Sequence, residues 1–167
     1  SHDLSAVFPF KSQNAYYNFI YNDYAFELYG KCDVCTRKLE TELNDWTEKT
    51  LKEIDTDEPI EVMFVSPKEY GLSIGNTYFF LSKLGTKIRE VYFPTDSITI
   101  WDKCDILFTA NPELLESKPE GKISVKIKTE YNKDVQADYS FKDLSTFLAN
   151  NENTEKILNE FIRQRRT

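Results

Sequence analysis

Histidine is nearly missing from this chain: one occurs in 167 residues, His2, within a Ser1-His2 start that reads as an expression-vector remnant. A folded body without histidine excludes imidazole general-base catalysis, Ser-His-Asp triads, Cys-His pairs and histidine-rich metal sites in one step. Cysteine is also scarce. Cys32, Cys35 and Cys104 make an odd number with no small disulfide framework, and no signal-peptide pattern precedes the fold, so the expected compartment is the cytoplasm. Long apolar runs are lacking too. Val62-Met63-Phe64-Val65 falls far short of the ~20 residues that a bilayer needs, which predicts a soluble protein without a membrane partner. Positive charge is in deficit, with 21 Lys+Arg against 28 Asp+Glu and a net charge of −7. That balance argues against nonspecific adhesion to nucleic acid or anionic membrane and leaves a basic protein surface open as a partner.

What the chain does have is enough apolar material for a core: 40% of its residues are hydrophobic, and aromatics make up 14% of the chain. Its length fits one domain over residues 1–167, expected as a monomer. Leu4–Phe8 reads as a first strand ended by Pro9, and aromatics crowd a helix-compatible stretch from Gln13 to Tyr29 that Gly30 closes as a C-cap. Cys35–Ile54 reads as an amphipathic helix, with Leu39, Leu43, Trp46 and Ile54 on one side. After the acidic turn Asp55–Pro59, strands and helices alternate. Strands are expected at Ile60–Val65, Ile88–Phe93, Ile106–Thr109 and Ile123–Lys128, and helices at Leu72–Leu84 (closed by Gly85), Pro112–Ser117, Phe141–Leu148 and Thr154–Arg165. Such alternation predicts an α/β fold with a mostly parallel central sheet, because parallel neighbours need crossover connections.

Ligands of open α/β sheets bind beyond the carboxyl ends of the strands, which directs attention to Pro9–Ser12, Ser66–Lys68, Pro94–Asp96 and Ala110–Pro112. Val62-Met63-Phe64-Val65-Ser66-Pro67, then a helix, Gly85 and a strand, is similar to the middle of haloacid-dehalogenase-like phosphatases, especially their 5′(3′)-deoxyribonucleotidase branch. So is the run Asp105–Glu113, followed by Gly121-Lys122-Ile123, Tyr131-Asn132 and Ala137-Asp138-Tyr139. The resemblance covers residues 60–148 in order and implies a three-layer sandwich with a small helical cap insertion at about 13–56. It also implies a phosphate pocket made by Ser66, Lys103 and Asn111. The family's reaction needs an aspartate nucleophile after the first strand and an acidic pair for Mg²⁺ after the fourth. Pro9-Phe10-Lys11-Ser12 and Ala110-Asn111-Pro112 carry no carboxylate at these places, so the expectation is a non-catalytic scaffold with a vestigial pocket, no metal and no cofactor. The enzymatic alternative is a nucleotidase-like phosphatase with displaced carboxylates at Asp23, Asp96, Asp102 or Asp105, and a third reading is a nucleotide-binding module.

Four features fall outside that pocket. Cys32-Asp33-Val34-Cys35 has the gap of a zinc or redox pair, but too few further ligands exist for structural zinc, and one inward-packed thiol is the simpler expectation. The aromatics Tyr16–Tyr29 serve core packing or a stacking surface. Between Glu40 and Glu61 nine acids stand against two bases, a local −7, which marks Glu40, Glu42, Asp45 and Glu48 as a solvated helix face or a docking face for a basic partner. Arg163, Arg165 and Arg166 suit a helix C-terminus or a transient DNA contact. The Leu4–Ser12 stretch, with an acidic composition rich in Tyr, Phe, Asn and Lys, resembles the Alc-type transcription terminators of T-even phages. That resemblance implies a host-takeover protein acting in the bacterial cytoplasm, which binds RNA polymerase and stops transcription on cytosine-containing DNA.

Overall fold

Every strand pair is parallel, as connections through helices require. The computed structural model describes residues 9–31, 37–53 and 60–166, with only the backbone of residues 37, 38, 51–53 and 166. The expected first strand Leu4–Phe8, the Cys32–Cys35 pair and the acidic turn Asp55–Pro59 lie outside the described residues. Strand β1 (Met63–Val65) pairs with β2 (Glu90–Tyr92), placing Phe64 opposite Val91. Strands β3 (Ile106–Thr109), β4 (Ile123–Ile127) and β5 (Tyr139–Phe141) form a three-stranded sheet in that order. The fold is thus mixed α/β with two small parallel sheets among the described residues, where one central sheet was expected.

The helices follow their local signals. Among the described residues six α-helices are present: α1 (Gln13–Asn18), α2 (Arg37–Glu53), α3 (Leu72–Leu84), α4 (Pro112–Glu116), α5 (Leu144–Leu148) and α6 (Asn151–Arg166). Gly85 ends α3 at φ 66°, the left-handed geometry that a helix C-cap asks of glycine. Asn111 Oδ1 caps α4 by accepting from the Glu113 N–H at 2.9 Å, and Pro112 occupies its first turn. Asp143 does the same for α5, accepting from the Thr146 N–H at 2.7 Å. This cap corrects the expected helix at Phe141. Tyr139–Phe141 instead pairs with β4, and the helix begins only behind Asp143.

The Gln13–Tyr29 helix is also corrected. It leaves α-helical geometry after Asn18 and continues as two wide turns, Phe19–Asp23 and Phe26–Gly30, closed by Tyr24 N–H to Phe19 O at 2.9 Å and Lys31 N–H to Phe26 O at 2.6 Å. Those five-residue bonds set Phe19 against Tyr24 with ring centroids 4.5 Å apart, a stacking that α-helical spacing would not give. The two wide turns pack on α3, with Lys83 Nζ donating to the Gly30 carbonyl at 2.5 Å. By contrast α2, the other part of the expected insertion, sits in the main core. Its Leu43 and Trp46 join Ile123, Val125, Phe147 and Ile157, and Trp46 Nε1 donates to Thr154 Oγ1 at 2.8 Å.

Successive strand residues point to opposite faces, and here they feed separate apolar clusters. Phe64, Ile106 and Phe108 enter the main core with both α2 and α6 residues, whereas Val65 and Leu107 meet Ile100, Trp101 and Leu114. Both sheets therefore contribute to both clusters. Among the described residues no helix is long and apolar enough to cross a membrane.

Candidate functional site

The segments that follow the strands meet on one side of the molecule. Lys68, after β1, reaches Glu113 in the first turn of α4 at 3.8 Å, and Lys68 N–H donates to the Pro94 carbonyl, after β2, at 2.9 Å. Over this crest lie the aromatic wide turns, through Tyr21 and Tyr70 with ring centroids 5.0 Å apart. A cavity of about 280 Å³ opens between them, lined by Tyr17, Tyr21, Lys68, Glu69, Tyr70 and Thr95.

Glu69 governs the chemistry of this cavity. Only 6% of it is exposed, and its carboxylate accepts the Ser66 hydroxyl and the Thr77 hydroxyl, the latter at 2.8 and 3.0 Å. Its donors are neutral. Burial first, and then the negative charge of Glu69, push the Tyr21 phenol up to about 12, and the same two causes, with Tyr21 between them, raise Tyr29 further. Both phenols stay protonated at neutral pH.

The residues marked in the sequence are placed as follows. Ser66 spends its hydroxyl on Glu69, while its N–H donates to the Tyr92 carbonyl at 2.9 Å. Lys103 is exposed and lies with its ammonium 5.9 Å from the Tyr92 ring, whereas Ser66 touches Tyr92 through the backbone. Asn111 is apart from them as the α4 cap. Neither it, Ser66 nor Lys103 lines the cavity. Of the displaced carboxylates, Asp23 accepts from Asn18, Asp96 caps the 97–102 turn, and Asp105 pairs with Lys122 at 2.9 Å and Arg165 at 4.0 Å. Asp102 is exposed. The described residues hold no group of three His, Cys, Asp or Glu side chains able to share a metal ion.

The two surface faces separate from this site. On α2, Glu48 pairs with Lys87, Glu40 lies over Gly85, Glu42 is half-buried and Asp45 is exposed. Arg165 folds its guanidinium over the Phe161 ring at 4.9 Å and toward Asp105, at the amino ends of β3 and β4. Asn111 lies at their carboxyl ends, so the arginine end of α6 and the crest occupy opposite ends of this sheet. Arg163 is exposed, and the Arg166 side chain lies outside the described residues. Burial raises the Cys104 thiol to about 11 against the opposing charge of Lys122, which keeps it protonated and unreactive.

Sequence reasoning missed Glu69 and Thr77, and named Asn132 only as part of the family resemblance. The first had a signal: Ser66-Pro67-Lys68-Glu69 is an S-x-x-E pattern, in which the two side chains are spaced to meet. Thr77 carried none, because its role depends on α3 packing back on the β1 loop. A larger cleft, about 480 Å³, is lined in part by Lys118, Ser124, Asp134 and Asp138, but there Lys118 and Asp138 already pair at 3.2 Å. No family model, curated protein or solved structure matches the chain.

Proposed function

We propose that this chain is a non-catalytic binding protein on a phosphatase-like, three-layer α/β scaffold, which engages bacterial RNA polymerase and shuts off host transcription on cytosine-containing DNA. The observation that carries the non-catalytic part is the Ser66–Glu69 pair. A hydroxyl expected to hold a phosphoryl group instead serves a buried carboxylate, and that carboxylate would repel a phosphate dianion at close range. Support for the three-layer arrangement comes from the division of Val65 and Leu107 from Phe64 and Phe108 between two clusters. The polymerase reading rests on the sequence resemblance, aided by a net charge of −7 that suits a basic protein surface.

Two measurements test it. With Mg²⁺ and nucleoside monophosphates or a generic phosphomonoester, turnover is expected to stay at buffer background; activity that disappears on replacing Asp23 or Asp105 would overturn the non-catalytic reading. Affinity capture from a bacterial lysate is expected to enrich RNA polymerase subunits, and a blank there removes the polymerase reading. The nucleotide-binding alternative would draw on Lys103, whose ammonium lies 5.9 Å from the Tyr92 ring at the end of β2. Saturable NMR shifts with a deoxynucleoside monophosphate, abolished by Lys103→Ala, would select it.

A further inference from the structure

The cavity under the tyrosines holds an anion that the described residues do not neutralise. Glu69 is buried, yet its partners are the two hydroxyls of Ser66 and Thr77, with no ammonium or guanidinium of the described residues bonded to it. A buried carboxylate whose partners are all neutral hydroxyls has no opposite charge beside it to offset its burial, so a cationic partner is the group it would gain most from. The nearest cation lining the cavity, Lys68, has its ammonium drawn 3.8 Å from Glu113.

The walls fit a positive guest. Tyr21 and Tyr70 stand 5.0 Å apart at 57°, and Tyr17 adds a third ring 6.0 Å from Tyr21, so aromatic rings surround the same space that the carboxylate lines. Ring faces are the negative part of an aromatic quadrupole and attract organic cations within about 6 Å. Glu69 Oε2 takes one hydroxyl, which leaves it a lone pair for a further donor. Size narrows the guest. At about 280 Å³ the cavity lies at the small end of ligand sites, enough for a side-chain head group and tight for a whole nucleotide.

We infer that this cavity binds an organic cation, the guanidinium or ammonium head of a basic side chain presented by a protein partner, seated against Glu69 between Tyr21 and Tyr70. The inference rests on the binding role proposed above and names what the partner brings to it. It also gives the exposed Tyr70 a use that core packing does not.

The test is an NMR titration of the full chain with three probes: N-acetyl-arginine methylamide, N-acetyl-lysine methylamide and a deoxynucleoside 5′-monophosphate. A blocked basic residue is expected to give saturable shifts at Tyr17, Tyr21 and Tyr70, while the nucleotide gives none there. Tyr70→Ala, at a position 41% exposed and so tolerant of truncation, should weaken binding roughly three- to tenfold. Glu69→Gln, checked for an unchanged fold by its spectrum, should abolish it. Tyr70→Ala keeps the question decidable if the Glu69 variant unfolds. Absence of saturable shifts with both cations, identical affinity in Tyr70→Ala, or nucleotide shifts at the same tyrosines would each overturn the inference. If the cations fail while polymerase is still captured, the cavity assignment falls alone; if the cations bind and capture fails, the polymerase reading falls alone.

Discussion

Asp138 sits between opposing influences. Burial pushes its carboxyl up, but the Ser124 N–H at 2.8 Å, the Lys118 ammonium at 3.2 Å and the Ser124 hydroxyl at 3.0 Å outweigh burial and hold it below the usual carboxylate range. The native state therefore binds this proton less tightly than the unfolded chain does. Its contribution to stability is complete above the unfolded value near pH ~4 and is lost as pH falls through the native one. Asp138→Asn should accordingly lower stability at neutral pH, and the gap to wild type in urea unfolding should close under acid. A gap unchanged from about pH 6 to about pH 3 would show that charge plays no part. Asn132, fully buried, works differently: its amide accepts from Thr129 N–H at 2.9 Å and donates to Ala110 at 2.8 Å and Ile127 at 2.9 Å, tying the carboxyl ends of β3 and β4 together. Neither role was visible in the chain, since each joins groups that only strand pairing brings near.

Among the elements, the aromatic turns differ most from expectation. Gly30 was read as a helix cap, but its φ is not positive; glycine is required there because another helix comes close. A Cβ on Gly30 would meet Asn76 Oδ1 at 2.8 Å and Phe26 Cδ2 at 2.9 Å. Asn76 is already tied to the Leu72 carbonyl at 2.9 Å, so it yields only by losing that bond. Gly30→Ala should therefore destabilise by about 1–3 kcal/mol, the usual cost of overpacking. Thermal unfolding would show a fall of roughly 2–10 °C, and an unchanged midpoint would mean that the wide turns do not pack on α3 as described. Strand β4 makes a related point. Apolar residues alternate at Ile123 and Val125, but Ser124 and Lys126 are buried as well, because β4 is the middle strand and both its faces are covered. Lys126 Nζ is satisfied there by the Val135 carbonyl at 2.5 Å.

For the molecule as a whole, charge separates from packing. On the acidic side of α2 Asp45 is exposed and Glu42 half-buried, and Glu48 engages Lys87 at an exposed ion pair of modest worth. Converting Glu40, Glu42, Asp45 and Glu48 to their amides removes the charge with little change of shape, and the spectrum of the variant checks that it is folded. On the proposed polymerase reading, association with purified RNA polymerase should slow by roughly tenfold or more at low salt, with dissociation little changed, because long-range fields act on encounter. The difference should fade as salt is added. An association rate that ignores the four substitutions would reduce this face to a solvated helix.

The helix stop at Gly85, the helix start at Pro112, the alternation of strands with helices, and the apolar stripe of α2 depend on neighbours within a turn or two, so the amino-acid order states them directly, whereas the start of α5 behind Asp143 was fixed only when Tyr139–Phe141 paired with β4. Ser66 was located by that same local logic, at the end of β1. What it does there was not local. The carboxylate it serves is three residues on, Thr77 arrives from α3, and two of the tyrosine walls, Tyr17 and Tyr21, come from a segment some fifty residues earlier in the chain. The partition of the strands into two sheets and the departure of Phe19–Gly30 from helical geometry likewise follow from contacts between distant elements. Periodicity and capping record short-range sterics and hydrogen bonding, whereas a buried charge and its cavity exist only once packing has excluded water from groups that sequence spacing keeps apart.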